Sequence, residues 1–67
     1  MQPYQERVVA EKKELDERLA KLKTFLMGAI FQGLTTDEKL RLSKQAKLMK
    51  EYSDMLGERI AAFTDGA

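Results

Sequence analysis

Two apolar stripes at helical spacing, divided by one glycine-bounded break, leave this chain few folds to choose from. In the first stripe Val8, Leu15, Leu19, Leu22 and Leu26 recur at intervals of seven, four, three and four residues. That spacing lines them along one face of a helix, close to a heptad seam. Leu42, Met49, Tyr52, Leu56, Ile60 and Phe63 form the second stripe. Between the two lies "GAIFQGLTT", residues 28–36, bounded at its start by Gly28 and unusually apolar for a turn.

Local signals set the ends of each element. Pro3, the single proline, suits a helix start, where its missing N–H would be unpaired in any case. A first helix is predicted from residue 3 to about residue 27, ended by Gly28. Glu14 with Arg18 and Glu17 with Lys21 place acid before base at four-residue spacing, the order that supports a helix. Thr35 followed by Glu38 fits a capping box, so a second helix is predicted from about residue 35 to residue 63, with the final TDGA fraying. Two long helices joined so briefly fold back as an antiparallel hairpin. The expected fold is all-α, a single helical-hairpin domain over residues 1–67.

One hairpin has one facing seam, and the sequence carries more apolar residues than that seam can hold. Val9, Phe25, Ile30, Phe31, Leu40, Leu48 and Met55 lie partly or wholly off it. A patch of this kind on a two-helix unit reads as an interface. Composition points the same way. A chain of 67 residues buries a small share of its surface, and its core supplies little stability alone. Small proteins compensate with disulfides, metals or self-association; cysteine and histidine are both absent, which leaves association. The hairpin is therefore expected to assemble into a homo-oligomeric helical bundle.

The same two absences argue against an enzyme. Without His or Cys the chain lacks the default general base near neutral pH, the commonest transition-metal ligand and a thiolate nucleophile. Glu11, Glu14, Asp16 and Glu17, and later Glu51, Asp54 and Glu58, are interleaved with Lys and Arg, which is the pattern of a solvated helix face. No cofactor and no metal site is expected. A net charge of +1 with 34% charged residues argues against a nucleic-acid-binding domain. Lys39, Arg41, Lys44, Lys47 and Lys50 do form a run without acids, but no aromatic side chain sits among them to stack bases, and the run reads as a basic surface. No signal peptide and no run of 18 apolar residues is present, so no membrane partner is expected and the cytoplasm is the default.

Two cations break the stripes. Lys12 stands at the seam position between Val8 and Leu15, and Arg59 stands where the step from Tyr52 to Leu56 would next place an apolar residue. In an antiparallel hairpin both lie toward the open end, with Tyr4, Arg7 and Phe63. Seam cations are costly unless solvated or paired. Three readings follow: their stems snorkel over apolar surface, Glu11 or Glu58 pairs with them, or they hold an anion, with Arg and Lys on phosphates and Tyr4 offering a ring to a base.

"VVAEKKELDERLAKLKTF", "GLTTDE" and "MKEYSDMLGERI" resemble the helical-hairpin domain of phage proteins that soak up the cyclic nucleotide signals of CBASS and Thoeris immunity. The resemblance covers residues 4–63 and rests on the Glu-Lys-x-Glu-Leu-Asp block at 11–16, Lys21-Leu22 with Phe25, Leu34-Thr35, and Tyr52, Leu56, Arg59 and Ile60. It implies a homo-oligomer, often a hexamer, that binds cyclic di- or trinucleotides between protomers without degrading them. It also implies a place of action in the cytoplasm of the infected bacterial host. By the same resemblance Tyr4 stacks on a base, Lys21 holds phosphate, with Lys12 or Lys23 as substitutes, and Arg59 serves a further site. With Arg7 these residues, Tyr4, Lys12, Lys21 and Arg59, form the expected ligand-binding set. The alternative is a coiled-coil-like structural or protein-interaction module without a small-molecule ligand.

Overall fold

The computed structural model describes residues 1–63; the expected fraying of TDGA lies outside the described residues. Three helices appear: α1 over Pro3–Leu26, α2 over Ala29–Gln32 and α3 over Thr36–Phe63. Every element among the described residues is helical, so the fold is all-α.

Pro3 occupies the first turn of α1, and the Gln2 N–H donates to Gln5 Oε1 at 2.8 Å. The helix stops at Leu26, one residue short of the expected end. The connector is not a plain turn. Ala29–Gln32 coils into its own helical turn, α2, because Phe31 folds its ring edge-on against Phe25 at 6.4 Å. Phe25 and Phe31, expected to meet water, thereby half-bury each other. Lys39 Nζ stands 5.9 Å above the Phe31 ring, a cation–π contact that ties the start of α3 to the connector.

Thr35 caps α3: its Oγ1 accepts the Glu38 N–H at 3.2 Å. The reciprocal half of the expected box is missing, since the Glu38 carboxylate takes Arg41 Nε at 2.8 Å. Of the two expected i,i+4 pairs, Glu14 and Arg18 approach to 4.0 Å. Glu17 and Lys21 are not among the ion pairs of the described residues.

α1 and α3 pack side by side in opposite directions. Tyr4 meets Phe63, Glu11 meets Tyr52, and Asp16 meets Ser53. The result is a rod of 49 × 15 × 14 Å. Its contact line is heptad-like on both helices. Gln5, Val8, Lys12, Leu15, Leu19, Leu22 and Leu26 on α1, and Leu42, Ala46, Met49, Ser53, Leu56, Ile60 and Phe63 on α3, are all buried or half-buried. Steps of three and four residues without interruption are the knobs-into-holes repeat.

This line corrects the α3 stripe read from the sequence. Tyr52 is 46% exposed and Arg59 is exposed, while Ser53 is buried and Leu56 is fully so. The seam passes through Ser53 and Ile60, so Arg59 does not interrupt it. Ala46 and Ser53 stand in the seam with Gly57 half-buried beside it, and their small size hid them from a search for apolar periodicity. Among the described residues, the apolar side chains buried outright are Val8, Leu19 and Leu56.

Candidate functional site

Lys12 is the one expected site residue that sits in the seam, and its surroundings are polar. From α1 its Nζ donates to Asp16 Oδ2 one turn along and crosses to Ser53 Oγ on α3, each at 2.9 Å. Ser53 Oγ donates in turn to Asp16 Oδ1. These three groups close a triangle in which every polar atom has a partner. The hydrogen bond from Ser53, and next that from Lys12, hold the Asp16 carboxyl below the usual carboxylate range. The acid that pairs with Lys12 is thus Asp16, at i+4, and not Glu11 or Glu58. Gly57 makes room for the lysine stem, since a Cβ there would lie 3.4 Å from Lys12 Cε.

Lys12 and Asp16 line two open grooves on this side of the rod. One, of about 500 Å³, runs past Val9, Lys13 and Ile60; the other, of about 360 Å³, runs past Lys23, Lys50 and Ser53. Volumes of this order suit a small ligand, but neither groove is enclosed within one chain.

The opposite side carries a second cross-helix bond. Tyr52 OH donates to Glu11 Oε2, which raises the Tyr52 pKa above the usual phenol value, while Arg59 nearby acts in the lowering sense. Tyr4 stacks edge-on against Phe63 at 5.9 Å with its ring still half exposed. Arg7, Lys21 and Arg59 are exposed and form no ion pair among the described residues.

The expected site residues do not all converge within one chain: Tyr4, Arg7 and Arg59 share the open end, on the side marked by the Tyr4–Phe63 and Glu11–Tyr52 contacts, while Lys21 lies apart. Tyr4 and Lys21 are 17 residues apart on α1, roughly 25 Å at about 1.5 Å per residue. Lys21 also lies about half a turn around the helix from Lys12. Lys12 and Arg59, expected to meet at the open end, are engaged differently: Lys12 in the triangle, Arg59 on the exterior beside Tyr52. Sequence reading missed Ser53 and Gly57 as parts of this arrangement, and it offered Glu11 to the cations where the structure pairs it with Tyr52. A heptad step back from Ile60 would have placed Ser53 in the seam.

With this geometry in view, the family comparison is decisive. A model of the Sequestin family matches residues 2–62. The chain belongs to the Sequestin family. The match spans almost all of the stretch, residues 4–63, over which the sequence resembled cyclic-nucleotide sponges, and it accords with a family that sequesters cyclic nucleotides against host defence. The family name denotes sequestration rather than turnover. No curated protein and no solved structure matches the chain. Among the described residues no group of three or more Asp, Glu, His or Cys could hold a metal ion. No described helix is long and apolar enough to cross a membrane.

Proposed function

We propose that this protein is a phage counter-defence factor that binds cyclic di- or trinucleotide immune signals and withholds them intact, as a homo-oligomer in the cytoplasm of the infected bacterial cell. The Sequestin match over residues 2–62 carries the reading. The geometry is compatible with sites built between copies. Tyr4, Arg7 and Arg59 stand at the open end, Lys21 lies far along the rod, and the flanking grooves stay open, so a ligand touching all of them is enclosed only when neighbouring chains contribute. Symmetry then repeats each cation around one polyanion. Whether six copies or another number assemble follows from the same association.

In this scheme Tyr4 offers its exposed ring to a base, Lys21 and Arg7 meet phosphate in solvent, and Arg59 brings a bidentate guanidinium. Lys12 takes part only by loosening its hold on Asp16 or by sharing its third donor, because its ammonium already has two acceptors. No step breaks a bond in the ligand. The test is a calorimetric titration with a panel of cyclic di- and trinucleotides, followed by heat release and chromatography of the ligand. Saturable binding with intact recovery is expected. Absence of binding across the panel, or linear products that follow the protein through purification, overturns the reading.

A second reading has its own observation. Ile30, Leu40, Leu48 and Met55 are all more than half exposed, which suits a coiled-coil-like module that binds a protein partner without any small ligand. The same titration separates the two.

A further inference from the structure

On one side of the seam each helix presents the same heptad position twice. Tyr4 and Glu11 on α1 are seven residues apart, and so are Tyr52 and Arg59 on α3, so each pair stands on one line along the rod. Tyr4 meets Phe63 and Glu11 meets Tyr52 across the seam. Those two contacts bracket Arg59 on α3. On α1 they bracket Arg7, which stands about 40–60° around the helix from Glu11 and Tyr4. The strip measures about 10 Å from Tyr4 to Glu11. It gathers the half-exposed rings of Tyr4 and Tyr52, the guanidiniums of Arg7 and Arg59, and the Glu11 carboxylate.

The pairing inside this strip is specific. Glu11 stands at i+4 from Arg7, and the phenol it bonds lies within the field of Arg59. Yet neither arginine forms an ion pair among the described residues. The carboxylate takes the Tyr52 O–H on Oε2 instead. An ionised carboxylate has about four acceptor positions, so both oxygens keep capacity for further donors. Free guanidiniums suit phosphate. A carboxylate set beside them repels the same ligand unless that ligand brings N–H groups to it. The strip therefore fits an anion that carries a donor edge.

We propose that Glu11, held in place by Tyr52, reads the base edge of the sequestered nucleotide and selects guanine. This rests on the cyclic-nucleotide reading above and adds to it a base preference and the residue that sets it. Guanine presents N1–H and the N2 amino group side by side, two donors for the two oxygens of one carboxylate. Adenine sets the acceptor N1 beside its amino group, and cytosine sets the acceptor N3 beside its own. Uracil has one N–H between two carbonyls. Each of these three turns a lone pair toward a carboxylate oxygen, so the group that welcomes guanine rejects them.

Calorimetric titration of the whole chain with cyclic diguanylate, cyclic diadenylate and cyclic diuridylate tests this. Wild type should bind the diguanylate at least about ten-fold more tightly than the other two, as charge-assisted hydrogen bonds allow. Glu11→Gln still offers Tyr52 an acceptor but turns an amide N–H2 toward the base, and the preference should vanish. Glu11→Ala removes acceptor and repulsion together. Diguanylate binding should then weaken while diadenylate binding holds or tightens, an opposed movement that no general loss of structure produces. Tyr52→Phe leaves the carboxylate untethered and should lower the preference in part. Arg7→Leu, which touches phosphate alone in this scheme, should weaken all three ligands by the same factor. Wild-type binding without base preference, or a preference that survives Glu11→Gln, overturns the role of Glu11 and leaves sequestration standing. A preference lost as fully in Arg7→Leu as in Glu11→Gln overturns that role as well. If no cyclic di- or trinucleotide binds at all, both readings fall together.

Discussion

Lys12→Leu separates a polar contact that stabilises from one that specifies. The lysine side chain keeps only 30% of its exposure, so its stem already covers apolar surface and leucine adds at most one or two methylene equivalents of burial. At roughly 0.8 kcal/mol each, that gain is about 1–1.5 kcal/mol. Against it stands the lost bond to Ser53, worth roughly 0.5–1.5 kcal/mol. Ser53 is not orphaned, because its hydroxyl still donates to Asp16. Asp16 lies at the edge of the seam and is itself half in water, so the lost ion pair adds little to the cost. The net change should stay within about 1 kcal/mol of zero. Leu56→Ala is the yardstick: a side chain with 0% exposure should cost roughly 2–5 kcal/mol. Urea unfolding followed by circular dichroism at one fixed protomer concentration gives both numbers, since an associating chain gains apparent stability with concentration. A loss above about 2 kcal/mol for Lys12→Leu would refute this reasoning and make the triangle a main support of the fold. Near-neutral stability together with a broader spread of sedimenting species would instead assign Lys12 to register, the attested role of a lone polar seam residue.

Other outcomes follow from the same structure. Gly57→Ala should stabilise by roughly 0.5–1 kcal/mol, because mid-helix glycine is unfavourable and the added Cβ meets Lys12 Cε at an ordinary 3.4 Å; thermal unfolding reads the shift, and a lowered midpoint would mean the lysine stem cannot yield. Asp16 has a depressed pKa, so its contribution is complete above the unfolded carboxylate value and disappears as pH falls through the lower folded one; Asp16→Asn should flatten that acid limb of the stability profile. Tyr52 has a raised pKa, so its bond to Glu11 is intact below the ordinary phenol range and is lost as pH climbs through the higher folded value; Tyr52→Phe should remove that alkaline limb. Arg59→Leu should leave stability within about 0.5 kcal/mol, as expected of an exposed site, yet abolish binding of at least one cyclic oligonucleotide, and Arg59→Lys should restore only part of it. Unchanged calorimetric binding across the panel would make Arg59 an ordinary surface residue.

The helices were legible because their signals are local. Pro3, the Thr35 cap and the leucine spacing of α1 depend on neighbours within one or two turns, and the structure places each boundary within a residue of its expected position. What sequence reading lost was rotation. An apolar stripe counts Tyr52 and ignores Ser53, although at the closest approach of two helices a serine fits where a tyrosine ring does not. That shift of about 100° moved Tyr52 and Arg59 from the seam to the exterior. The connector's coil was hidden for a similar reason: Ala29–Gln32 is too short to show periodicity, and its helical turn comes from the Phe31 contact with Phe25, a tertiary event.

The candidate site was legible as chemistry and not as geometry. A single sequence can show that Tyr4, Arg7, Lys21 and Arg59 are cations and a ring suited to a nucleotide, but helical rise sets Lys21 about 25 Å along α1 from Tyr4, a distance no single ligand spans on one rod. Either such residues serve separate sites or other copies bring them together. In the second alternative Arg59 of one copy comes near Lys21 of another, two cations that no single chain brings together. Cations that would repel one another there are tolerable when a polyanion is shared between them. Assembly and ligand binding would then be coupled, each favouring the other by the same factor. Adding a bound cyclic nucleotide should therefore tighten self-association in sedimentation experiments, and Arg59→Leu, which removes one of the repelling charges, should strengthen association without ligand while erasing the ligand's effect. Association that is indifferent to ligand in wild type would separate the two processes and place the binding residues away from the contact between copies.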